Sequence, residues 1–114
     1  MNLDDFISEL RKWEHDAVVA GLALLLSEWQ ADLADANDLA RQVERYFRNT
    51  RIEDDQMYRD VYQKWNDFKN SAIDNIGSQT INERLYWFGL LDRFDNASEP
   101  EIRCKLYAKL LASA

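Results

Sequence analysis

Cys104 is the one thiol of this chain and His15 its one imidazole. Nucleophilic catalysis of the Cys–His kind would need these two to meet from opposite ends of the sequence. Cys104 stands among apolar neighbours in a helical stretch, where a cysteine is expected to pack as a small hydrophobe. A single His and a single Cys exclude metal sites built from two histidines, or from several cysteines, of one chain. A di-iron carboxylate bundle needs two Glu-x-x-His motifs, and the sequence holds none. It also lacks a glycine-rich phosphate loop and a Gly-x-Ser-x-Gly elbow. Glu53-Asp54-Asp55 carries enough charge to attract a divalent cation, but adjacent carboxylates on a helix point in different directions. Their expected role is to offset the positive end of a helix dipole. Glu14-His15-Asp16 reads as a polar knot that caps and solvates a bend. The chain is therefore read as a binding protein and not an enzyme, with no metal and no cofactor.

What the chain does have is charge, unevenly placed. Its formal net charge is −7. Residues 1–38 hold nine acids against Arg11 and Lys12, which already accounts for the whole imbalance, while residues 39–114 balance twelve acids with twelve bases. An acidic surface disfavours nucleic-acid phosphates and anionic lipid heads and favours a basic protein partner. Glu28, Asp32, Asp35 and Asp38 run from the end of the second expected helix into the following turn. They are the candidate partner-binding residues. Arg41, Arg45 and Arg48, with Arg51 just beyond, form the one basic feature, on the outward face of the third expected helix. They suit a phosphate or an acidic peptide, or simply the negative end of that helix's dipole.

Positioning these side chains falls to helices. Strand signals are nearly absent: there is no Asn-Gly or Asp-Gly turn and no sustained alternation of apolar and polar residues. At 114 residues, with 46% of them hydrophobic, the chain can bury one core and is read as a single helical domain, 1–114. Leu3, Phe6, Ile7, Leu10 and Trp13 lie at helical spacing behind Asn2, with a break near His15 and a new cap at Asp16. The second helix, 17–34, places Val18, Leu22, Leu25, Leu26, Trp29 and Leu33 on one side and a strip of alanines beside them. Asp35 or Asn37 caps the third. A capping box at Thr50-Arg51-Ile52-Glu53 opens a fourth helix that runs to Ile76 and stops at Gly77. A second box at Thr80 opens a fifth, to Asp95, with a wide apolar arc that includes Ile81, Leu85, Trp87, Phe88 and Phe94. A third, at Ser98-Glu99-Pro100-Glu101, opens the last, with Ile102, Leu106, Tyr107 and Leu110 inward and Glu101, Lys105 and Lys109 on a solvated stripe. Ile81, Trp87, Phe88 and Phe94 are expected to be buried together. The fold expected is all-α, a single compact bundle of five or six helices.

Two functions follow from these features. The first is a small acidic binding or inhibitory protein, of the immunity-protein, antitoxin or phage-inhibitor type, meeting a basic partner through residues 1–38. The other is a structural or assembly subunit, as a homo-oligomer or part of a larger complex, suggested by the wide apolar arc. The longest uncharged apolar stretch, Ala17 to Leu26, is about half of the roughly 20 residues a bilayer span needs. The acidic start lacks the basic region of a secretory signal. With the lone cysteine, these point to a cytoplasmic protein that contacts neither membrane nor nucleic acid.

Overall fold

Four helix starts follow caps read from the sequence. In the computed structural model, which describes residues 1–112, α1 (Leu3–Arg11) begins behind Asn2, whose side chain accepts from the Asp5 amide while Asp5 reaches back to the Asn2 amide. The chain bends through 12–15, and Asp16 caps α2 (Ala17–Ala31) by accepting from the amides of Val18 and Val19. Asp35 and not Asn37 caps α3 (Ala36–Asn49), in a reciprocal box with Asp38. Thr80 and Glu83 form the same box at the head of α5 (Ile81–Trp87).

Two of the expected boxes do not form. Thr50 closes α3 instead of opening α4 (Asp55–Phe68): its hydroxyl donates to the Tyr46 carbonyl at 2.6 Å. Burial of Ile52 draws the link inward, so the cap falls to Asp54, which accepts from the Met57 amide. Likewise Ser98 caps nothing. Glu99 precedes α7 (Pro100–Lys109) without a side-chain cap, and Pro100 alone marks the start, where its missing N–H costs no helical bond.

The fold is all-α, as expected, but with seven α-helices among the described residues. The expected fifth helix is in fact two, α5 and α6 (Leu91–Asp95), parted at Gly89, whose φ of +69° is left-handed. The carboxylate of Asp4 lies 2.5 Å from where a Cβ on Gly89 would stand, so an added side chain would meet both the strained backbone and that carboxylate. The fourth helix also ends early. It widens into a π turn (Lys69–Ile73), and a 3-10 turn (Ile76–Ser78) takes in Gly77. The wider turn lets Ala72 and Ile73 both face the core after Phe68.

Rings hold the interior together. Trp29, Phe88, Phe68 and Trp65 form a chain with successive centroids 5.3, 5.5 and 5.9 Å apart, linking α2, the α5–α6 turn and α4. The Trp29 indole N–H donates to the Asp35 carbonyl at 2.8 Å, so its polar edge is satisfied although the ring is fully buried. α1 packs on α2 and α4, α2 on α3, and α7 on α6. Where α2 meets α3, the Tyr46 hydroxyl donates to the Val18 carbonyl and occupies the space beside Gly21. That close approach occurs at the glycine of α2 more than at its alanine strip, of which Ala31 is exposed.

Several side chains take the opposite side from that expected. Leu33 is 75% exposed because α2 ends at Ala31, two residues before it. Ile102 is exposed, and Cys104 lies on the outer surface of α7. Trp87, Ile81 and Phe94 are half-buried and only Phe88 of that group is fully enclosed, since the break at Gly89 removes the single wide face they were to share. Lys109, placed on the solvated stripe by its spacing, is 3% exposed. Among the described residues no helix is long and apolar enough to cross a membrane.

Candidate functional site

The C-terminal end of α2 carries no basic residue in its last turn. Its outward carbonyls and the negative end of its dipole therefore need donors from elsewhere. Two arrive from far along the sequence. Arg93, on α6, donates to the Gln30 carbonyl. Lys109, at the end of α7, donates to the carbonyls of Asp32 and Ala34 at 2.9 and 2.7 Å and to the Asp32 carboxylate at 3.1 Å. Three acceptors around one amine require the ammonium form, because a neutral amine has two protons to give. The same nitrogen lies 3.8 Å from the centre of the Trp29 ring, on the electron-rich face that attracts a cation. Burial pushes the Lys109 pKa down, and its bond and attraction to Asp32 oppose that shift.

Gln30 completes the junction from the other side. Its amide donates to the Asp4 carboxylate at 2.9 Å and to the Phe88 carbonyl at 3.0 Å, tying α1 and the α5–α6 turn to α2. Thus α2 ends in a polar knot whose members come from five elements.

Beside this knot a groove of about 340 Å³ runs between the end of α2 and α7. Ala31, Leu33, Ile102 and Leu106 supply its apolar lining, and Arg93, Lys105, Lys109 and Asp32 its charges. The Lys109–Asp32 pair is locally neutral, which leaves Arg93 and Lys105 as a positive border.

The four acids singled out from the sequence converge on this corner, but they are not equivalent. Glu28 is exposed on α2. Asp32 accepts from the Ala34 amide and from Lys109, and remains about half exposed. Asp35 and Asp38 are the two halves of the α3 capping box. Asp38 also pairs with Arg41, and the bond from the Asp35 amide, more than that from Arg41, holds its carboxyl below the usual range. Three of the four thus have structural duties. Arg41, Arg45 and Arg48 lie exposed along α3, bordering a shallow second groove with Glu44. Among the described residues no cluster of three histidine, cysteine or acidic side chains is placed to hold a metal ion.

Lys109, Arg93, Gln30 and Leu33 were not found as candidates by sequence reasoning. One signal did exist. A helix with no terminal cation of its own, ending in Asp32, implies a cation supplied by another element. No family model, curated protein or solved structure matches this chain.

Proposed function

We propose that the protein is a small binding or inhibitory module that meets a basic protein partner through the acidic corner between α2 and α3. The observation that carries this reading is Leu33, 75% exposed, with Asp32 directly before it and Asp35 two residues after it. An exposed apolar anchor with charge beside it is the usual composition of a protein interface, whose centre buries and whose rim stays wet. The net charge of −7 on residues 1–38 supports it, since a field of one sign speeds encounter with a partner of the other. An immunity, antitoxin or phage-inhibitor role fits such a surface on a chain of this size.

The test is capture of partners from lysate by the intact chain, compared with Glu28→Lys and Leu33→Asp. Both changes fall on exposed positions and should leave the thermal midpoint unmoved. The reading expects a captured protein that is lost with either variant and in about 0.5 M salt, where screening acts over a few ångströms. Capture indifferent to salt and to both substitutions refutes it.

A second reading, assembly with copies of itself, draws support from exposed Tyr86 stacked edge-on against half-buried Trp87 at 5.8 Å. Light scattering at high protein concentration decides it: a strict monomer removes the homo-oligomer.

A further inference from the structure

The groove beside Lys109 has a lining and a border of different chemistry from the acidic corner next to it. Its lining residues Ala31, Leu33, Ile102 and Leu106 are all aliphatic. Its border cations, Arg93 and Lys105, are exposed and form no salt bridge among the described residues. Arg93 spends one nitrogen on the Gln30 carbonyl and leaves the rest of its guanidinium free, while the Lys105 ammonium has no hydrogen-bond acceptor among the described residues. Asp32, the one carboxylate lining the groove, is matched by Lys109 at 3.1 Å. The groove is therefore locally positive on a chain whose overall charge is −7.

From this we infer that the groove receives a short peptide segment of the partner, one that seats an aliphatic side chain between α2 and α7 and presents a carboxylate to Arg93 and Lys105. The inference rests on the protein-binding reading above and names a second determinant for it. Basic groups of the partner face Glu28 and the acids of the corner, and an aliphatic-acidic segment enters the groove. The choice of a peptide follows from the groove's form. It lies open along the surface, with Leu33 standing out at its edge, so that an extended or helical segment can lie in it. The choice of charge follows from the two unpaired cations, which a basic segment would leave facing like charge. Opposite signs side by side also fix the orientation of a bound partner and reject one whose charges are reversed.

The experiment uses three synthetic octapeptides that share two leucines and carry glutamate, lysine or glutamine at the remaining positions. Each is titrated into the ¹⁵N-labelled full chain at low salt. The glutamate peptide should shift the amides of Leu33, Ile102, Lys105 and Leu106 and bind at least about tenfold more tightly than the lysine peptide. Lys105→Gln, at an exposed position, should weaken the glutamate peptide about fivefold and leave the glutamine peptide unchanged. Three results overturn the inference: equal affinity for the glutamate and glutamine peptides, shifts from the glutamate peptide confined to Arg41, Arg45 and Arg48, or a lysine peptide seated in the groove. These outcomes separate from the fate of the wider reading, which Glu28→Lys tests outside the groove and Lys105→Gln leaves unmoved.

Discussion

The Lys109 ammonium lies 3.8 Å above the Trp29 ring and donates to oxygens of Asp32 and Ala34. One buried cation thereby closes the end of α2, holds the turn into α3 and anchors the end of α7. Lys109→Met keeps most of the stem and removes the donors. Some of the released carbonyls can regain water at the half-exposed turn, so the expected loss is about 2–3 kcal/mol, below that of a fully buried broken pair. Urea denaturation measures it. Because burial lowers the Lys109 pKa, the unfolded chain binds its proton more tightly than the folded one. Between the lowered value and the ordinary 10.5, stability therefore rises with pH in the wild type. The gap between wild type and Lys109→Met should widen as pH rises through the lowered value towards 10.5.

Gly21 and Tyr46 make a second pair with a definite coupling. Gly21→Ala places a methyl against the Tyr46 hydroxyl, and the strain should outweigh the roughly 1 kcal/mol that alanine gains over glycine within a helix. Tyr46→Phe loses one hydrogen bond to Val18, about 1 kcal/mol. In the phenylalanine background the hydroxyl is gone, and Gly21→Ala should turn stabilising. Additive effects in the double-mutant cycle would show that the two positions do not touch.

Tyr46 also carries a pH signature. Burial first, and Asp16 second, raise its pKa above 10.0. Its contribution is fully present below pH 10.0 and is lost as pH rises through the raised value. Tyr46→Phe should lack that alkaline decline, as thermal melts between neutral pH and strongly alkaline buffer would register.

At Gly89 the left-handed backbone and the Asp4 carboxylate act together. Gly89→Ala should cost about 2 kcal/mol or more, part of it the conformational penalty and part the displacement of Asp4 from Gln30. In an Asp4→Ala background the same change should fall to about 1 kcal/mol, the conformational part alone. An undiminished cost would assign the whole effect to the backbone.

Trp29 and Trp87 separate core from surface. Trp29→Ala empties a fully buried site and should cost about 3–5 kcal/mol. Trp87 is half-buried, and its replacement by alanine should cost about half as much. Equal losses would place Trp87 in the core after all; chemical denaturation of the two variants distinguishes these outcomes.

For α3 the residues alone leave Asp35 and Asn37 both open, but the helical class, the caps at Asn2, Asp16 and Thr80, and the start at Pro100 are legible in them. Each of these is an interaction within one turn, set by neighbours three residues apart or fewer, so no tertiary contact is needed to read it. Glu28, Asp32, Asp35 and Asp38 fall around the α2–α3 turn because they are close in the chain. Which other residues share that turn depends on packing between elements distant in the chain. Lys105 and Lys109 share the same type and a helical spacing of four, and nothing local tells the exposed one from the buried one. The difference is that α7 lays Lys109 across the open end of α2, where carbonyls without donors await it. The break at Gly89 is of the same kind. Glycine permits a left-handed turn in any context, but it is the arrival of Asp4 from α1 that leaves room there for nothing larger. Helix ends are written in adjacent residues, whereas the partners of a buried charge are chosen by packing between elements that the chain brings together from a distance.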